Sequence, residues 1–332
     1  MRDVPNHEEE SVSLKPEEVP SEVLAAERRI RPHVRETPVE HSPFYAGDDG
    51  TEVFFKLENL QHTGSFKVRG ALNKVLSLPR DELERGVVAA STGNHGAAVA
   101  FALGKLGVPG LVFVPENASP QKVEAVKRLG AEVRHFGDDC AVAEAQARRY
   151  ATEHNMTYLS PYNDPQVVGV QGTIAVELAR QLDRIDAVLV ALGGGGLIAG
   201  IAGYLKTVRP DVHIVGCSPE HSQVMIRSIE AGKILDLPSL PTLSDGTAGG
   251  VEPGAITFDL CRALVDEYVT VTEDEIAEAL REYMGIHHMM IEGSAAVAIA
   301  AFDKLRAGLA GKNVVIVLCG ANISLDTLKQ IL

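Results

Sequence analysis

Lysine is an electrostatically awkward residue at the start of a helix. Lys67 stands in the stretch Gly64-Ser65-Phe66-Lys67-Val68-Arg69-Gly70. The stretch follows an apolar run from Val53 to Leu57 that reads as a strand. It precedes Ala71 to Leu76, whose apolar residues repeat at helical spacing until Pro79. This spacing puts Ser65 at the N-cap and Lys67 in the first turn. The first turn carries the positive end of the helix dipole and favours a neutral amine over an ammonium. Only a neutral amine attacks an aldehyde, so Lys67 is a candidate for Schiff-base chemistry. A surface lysine that merely tolerates the position fits these seven residues as well, and other stretches have to decide between the two.

The elements that must position such a lysine show a strand-then-helix rhythm. Val87 to Ala90, Leu111 to Val114, Ala131 to His135, Thr157 to Leu159, Ala187 to Leu192, Val212 to Val215, Val269 to Val271 and Val314 to Leu318 read as short strands. Helices are expected around Val23 to Ile30, His95 to Leu106, Pro120 to Leu129, Ala141 to Tyr150 and Ile174 to Leu182, and from Leu197 onward. Ser119-Pro120 opens one of them, and Thr272 with Glu275 forms a capping box for another. Short β-branched strands alternating with helices imply an α/β fold of parallel or mostly parallel sheets flanked by helices.

In such sheets ligands bind beyond the carboxyl ends of strands. Three loops lie there: Ser91-Thr92-Gly93-Asn94-His95-Gly96, Gly193-Gly194-Gly195-Gly196-Leu197 and Cys319-Gly320-Ala321-Asn322. Four glycines before a helix can aim unhindered backbone N–H groups at a phosphate, although a tight strand–helix turn gives the same pattern. The loop from Ser91 to Gly96 gathers hydroxyl, amide and imidazole groups at a helix start. It suits a carboxylate, or simply a capped helix. A candidate Schiff-base lysine, a phosphate cradle and a carboxylate pocket are together the parts that a pyridoxal phosphate enzyme acting on an amino acid requires.

Composition narrows the class. The chain has 332 residues, 45% of them hydrophobic, and a formal charge of −14 that argues against nucleic-acid and anionic-membrane partners. No apolar run is long enough to span a membrane and the acidic start lacks a signal-peptide pattern, so a cytoplasmic protein is expected. The four cysteines, Cys140, Cys217, Cys261 and Cys319, have neither zinc-site nor paired-disulfide spacing.

From about residue 20 onward the chain resembles the serine/threonine dehydratase and serine racemase family of pyridoxal-phosphate enzymes, the fold type II or tryptophan-synthase-β-like group. The resemblance rests on the lysine stretch, Ser91 to Gly96, Gln171-Gly172-Thr173, the tetraglycine, Asp245-Gly246, Ile291-Glu292 and Cys319 to Asn322. It implies that Lys67 binds the cofactor as a Schiff base, with Phe66 beside the ring. Asn94 would bond the ring's phenolic oxygen, Gly193, Gly194, Gly195, Gly196 and Leu197 the phosphate, and Cys319 would face the pyridine nitrogen. Ser91, Asn94 and His95 would receive the substrate carboxylate. Thr92 would lie on the cofactor face opposite the lysine, Asn163 and Gly246 would border the substrate, and Glu292 would lie behind the cofactor. It also implies a small mobile domain (86–163) closing on a large one (21–85 plus 164–332) after an acidic tail (1–20), and a homodimer.

A thiol at the pyridine nitrogen, with a usual pKa near ~8.5, cannot keep that nitrogen protonated as a carboxylate would. The resemblance then implies elimination of a β-hydroxyl, most simply from L-threonine or L-serine, to give a 2-oxo acid and ammonia. Serine racemisation, β-replacement, or a larger substrate such as 3-hydroxyaspartate or phenylserine are the alternatives among enzymes, and a non-catalytic binder is the alternative outside them. Two departures stand out. Ser218 and Val224 occupy the places of the family's divalent-cation carboxylates, so no metal site is expected there. Thr92 replaces the serine of racemases and the alanine of many dehydratases, and a stiff side chain with a hydroxyl open to capture by backbone groups is expected to favour elimination.

Overall fold

The computed structural model describes residues 13–332. Six strands, β1 (Val39–His41), β2 (Glu52–Lys56), β7 (Ala187–Ala191), β8 (His213–Pro219), β9 (Glu267–Val271) and β10 (Asn313–Val317), form one sheet in the order β1-β2-β10-β7-β8-β9. Four more, β3 (Val87–Ala90), β4 (Gly110–Val114), β5 (Glu132–His135) and β6 (Thr157–Tyr158), form a second in the order β5-β4-β3-β6. The pairings are parallel except that of β1 with β2. The central strands explain themselves: Ala187 to Val190 and Val314 to Val317 are wholly buried, as continuous apolar runs must be when helices cover both faces.

Each expected strand is present, with β8 running on to Pro219 beyond the Val212 to Val215 core. The antiparallel edge strand β1 was not legible, because Val39-Glu40-His41 is too short and polar to register. The capping box is formed in full: Thr272 Oγ1 accepts from the Glu275 N–H at 3.2 Å, and the Glu275 carboxylate accepts from the Thr272 N–H at 2.7 Å. Ser65 is a correction. It is not an N-cap but extended backbone (φ −161°, ψ 160°) bridged to Gly320, and the helix Lys67–Ser77 follows a helical Phe66. The buried Oγ of Ser65 has no hydrogen-bond partner among the described residues, so it makes no cap bond.

One core lies around the larger sheet. A second joins Ala26, Ile30, Val68, Leu72 and Val75 to Val87, Val99 and Val112, so the helix begun by Lys67 packs onto the smaller sheet's helices. Of the expected tail, residues 1–12 lie outside the described residues. Leu14 and Val19 are buried and the helix Val19–Ile30 starts at once, because these apolar side chains find the larger core. Among the described residues no helix is long and apolar enough to cross a membrane.

Candidate active site

Three adjacent strands of the larger sheet deliver the chemistry. The chain after β2 leads to Lys67, that after β10 to Cys319, and that after β7 to the glycine loop. Phe66 N–H donates to Cys319 O at 3.1 Å and Ala321 N–H to Gly64 O at 2.9 Å, which stitches the first two loops together. A cavity of about 1390 Å³ opens between these loops and the carboxyl ends of the smaller sheet's strands.

Lys67 Nζ reaches into this cavity, donates to Pro161 O at 2.8 Å, and lies 5.2 Å from the centre of the Phe66 ring. Loss of solvent lowers its pKa to about 8, against a weaker upward pull from Cys319 and Glu292. Two residues on, Arg69 is fully buried and gives Nε and Nη2 to Glu58 (2.9 and 2.7 Å) and Nη1 to Glu177 (2.7 Å). Lys56 Nζ donates to the same Glu177 at 2.6 Å. This network clamps the first turn carrying Lys67 to β2 and the helix Thr173–Gln181.

The glycine loop ends in the helix Gly196–Val208, whose first N–H groups have no partner within the helix. Gly195 has φ 84°, in the left-handed region, and a Cβ there would stand 2.8 Å from Cys261 Sγ. A Cβ at Gly194 would stand 2.6 Å from the Tyr162 ring. The loop must therefore be glycine both for its turn and for Tyr162, and it leaves backbone donors facing the cavity. Leu197 is buried behind it. Lys67, the unhindered N–H groups of the glycine loop, and the Asn94 amide and Cys319 thiol on the cavity wall fit a cofactor that carries an aldehyde, a phosphate and a ring.

On the smaller sheet's side, Asn94 Nδ2 donates to both Glu292 carboxylate oxygens at 2.9 Å. Burial raises Glu292 to about 7, against the downward pull of that bond. Cys319 Sγ is 3.9 Å from Glu292 Oε1 and its thiol is raised well above its usual range by burial and by Glu292, so it stays protonated. His95 is buried with Nε2 2.9 Å from Leu159 O. A carbonyl only accepts, so Nε2 carries the proton. Burial and Lys67 lower the pKa to about 3, which keeps the ring neutral. His95 lines the cavity with Nε2 engaged by that carbonyl, and the helix Asn94–Leu106 begins beside it with backbone N–H groups that have no partner within the helix.

Ser91 Oγ accepts from the Gly93 N–H at 3.1 Å. Thr92 lines the cavity beside it, and among the described residues no hydrogen bond holds its hydroxyl; the local turn uses Ser91 instead. Gly246 lies in the wall, where a Cβ would stand 2.8 Å from Ser294 Oγ. Asn163 Nδ2 donates to Glu252 Oε2 (3.0 Å) and its Oδ1 accepts from the Ile256 N–H (3.0 Å), next to Tyr162. Tyr162 takes the wall position. Its signal was available, since Pro161-Tyr162 follows the carboxyl end of β6. Ser218 Oγ donates to Leu192 O at 2.7 Å and Val224 is buried at a helix start.

With this geometry in place, comparison with known proteins identifies the family. Residues 30–320 match the family described as "Pyridoxal-phosphate dependent enzyme". The chain belongs to this family. It is 42% identical over 310 residues to an L-threonine ammonia-lyase of Geobacter sulfurreducens, covering 93% of this chain and 77% of that one. It is 37% identical over 311 residues to a serine racemase of Arabidopsis thaliana, covering 92% and 93%. The solved processed form of threonine deaminase isoform 2 from Solanum lycopersicum superimposes with a TM-score of 0.90 at 32% identity, over 96% of this chain and 94% of that one. The fold is therefore fold type II, and the cofactor of this enzyme is pyridoxal 5′-phosphate.

Proposed function

We propose that the chain is an ammonia-lyase that removes water from a β-hydroxy L-amino acid, L-threonine or L-serine, giving a 2-oxo acid and ammonia. The observation that carries the reading is that Lys67 Nζ reaches into the cavity shared by the glycine loop, Asn94 and Cys319, where loss of solvent lowers its pKa to about 8. Relatives named threonine ammonia-lyase support the substrate class.

In this reading Lys67 and Phe66 hold the cofactor's aldehyde end and ring. Gly193, Gly194, Gly195, Gly196 and Leu197 offer backbone N–H groups to its phosphate, Asn94 donates to its ring oxygen, Cys319 faces its nitrogen, and Glu292 backs Asn94. When bound, the cofactor supplies an electron sink for the pair left by the Cα–H bond. Lys67 Nζ, able to hold or release a proton near neutral pH, takes that proton. The N–H groups around Ser91 to His95 orient the substrate carboxylate, while Thr92 and Gly246 border the substrate. Closure of a small domain on the rest excludes water, and the ion pair of Arg148 with Glu252 (2.8 Å) spans the two sides. A homodimer in a cytoplasmic setting completes the reading, with sedimentation equilibrium as the check on assembly.

Serine racemisation is the second reading, favoured by the unengaged Thr92 hydroxyl. Chiral chromatography of a partial L-serine reaction separates the two. Pyruvate in large excess over D-serine is expected, and the reverse ratio overturns the proposal.

A further inference from the structure

Asn94 is one end of a chain of amides whose direction is fixed at both ends. At the outer end, Asn322 Nδ2 donates to Thr63 O at 3.0 Å, and a backbone carbonyl can only accept. The second hydrogen of the same amide goes to Asn94 Oδ1. At the inner end, Asn94 Nδ2 faces the Glu292 carboxylate, whose Oε2 also accepts from the Asn322 N–H at 3.1 Å. With its oxygen taken by Asn322, Asn94 can show only N–H to the cavity.

We propose that Asn322 is a positioning residue, which sets the polarity of the Asn94 amide so that it meets the cofactor's ring oxygen as a donor. The proposal rests on the reading that Asn94 faces the cofactor. Glu292 cannot do this alone. Its pKa lies near 7, with Lys67, Asp245 and Cys319 around it, and once protonated it could donate to Asn94 as readily as accept. Asn322 has no second protonation state. Its backbone belongs to the loop that already holds Gly64 through Ala321, so the same loop fixes the lead-in to Lys67 and the direction of Asn94.

Asn322→Asp inverts the arrangement, because a carboxylate offers Asn94 only acceptors and would draw Asn94 Nδ2 outward, turning Oδ1 into the cavity. Asn322→Ala merely frees Asn94. The measurement is equilibrium binding of pyridoxal phosphate to apoenzyme, followed by its visible absorbance band, beside the melting temperature of each apoprotein. One reoriented hydrogen bond corresponds to a loss of about five- to tenfold in affinity for Asn322→Asp, with a smaller loss for Asn322→Ala. Apoprotein melting should stay within about 1 °C, since Asn322 is exposed. Ser324→Asp adds the same charge on the same cavity wall and should change affinity less than about twofold. Asn94→Ala is the reference. If it weakens binding while the Asn322 variants do not, or if Ser324→Asp matches Asn322→Asp, the positioning role is wrong and the cofactor reading stands. If Asn94→Ala binds normally, the reading of Asn94 falls and this proposal with it.

Discussion

The lowered pKa of Lys67 can be tested in the apoenzyme by the rate at which it captures pyridoxal phosphate. Capture needs the free amine. With a pKa of about 8 instead of 10.5, roughly one Lys67 in eleven is neutral at about pH 7, against roughly one in three thousand for an ordinary lysine, an advantage of about 300-fold. The shift comes from burial, which penalises the ammonium, so the sign is definite: capture accelerates as pH rises and levels off once the amine is free. Between about pH 7 and pH 9 the rate should climb about tenfold and saturate, with its midpoint near 8, whereas an unshifted lysine would give about a hundredfold and keep climbing. The cofactor phosphate is largely dianionic over that interval and adds little slope of its own. Stopped-flow absorbance gives the profile. Glu292→Gln should move the midpoint lower, because the ionised carboxylate favours the ammonium. A log-linear rise through about pH 9.5, or a midpoint unmoved in Glu292→Gln, would refute the electrostatic account.

Three further outcomes follow from the geometry. Gly195→Ala places a Cβ 2.8 Å from Cys261 Sγ at a left-handed residue, so cofactor affinity should fall by about tenfold or more while Lys67 remains reducible by borohydride. Glu177→Gln leaves fully buried Arg69 and Lys56 with only Glu58 as anionic partner; a loss of about 3–5 kcal/mol, seen as a fall in Tm of about 5 °C by calorimetry, is expected. Exhaustive chelation should leave activity unchanged, since Ser218 and Val224 offer no carboxylate. A loss restored by Mg²⁺ or Ca²⁺ would show that another oxygen cluster binds the ion.

The sheet strands and the three loops at their ends were legible because buried parallel strands are written as runs such as Ala187 to Leu192, and glycine punctuation follows them directly. What was not legible depends on side chains choosing among distant partners. Nothing in Asn163-Asp164-Pro165 says that Asn163 turns to Glu252 while Tyr162 meets Gly194, since that choice depends on a helix almost a hundred residues later. Nor does the stretch around His95 say that its Nε2 meets Leu159 O, just past the strand next to β3. The network of Arg69, Glu58, Glu177, Lys56 and Arg31 was equally invisible, because its members are scattered over nearly 150 positions and each alone reads as a surface charge.

That network also explains how the site can remain almost uncharged. Lys67 near 8, His95 near 3, Glu292 near 7 and a protonated Cys319 place four titratable groups around one cavity floor, and near neutral pH Lys67 alone among them tends to carry a full positive charge. The strong fixed charges sit one layer deeper, where Arg69 and Glu177 bond each other and anchor the turn without reaching the cavity. In the proposed reading an anionic phosphate is met by backbone N–H groups of the Gly193 to Leu197 loop rather than by a lysine that would compete with Lys67. On the proposed placement of Cys319 at the cofactor's ring nitrogen, a thiol that stays protonated would not hold that nitrogen in its charged form. This favours a substrate whose β-hydroxyl leaves promptly once the Cα proton has gone to Lys67, and it argues against transamination on the same scaffold. The electrostatic layering thus bears on reaction type, while the choice between threonine and serine is left to the shape of the wall formed by Tyr162, Gly246 and Ser294.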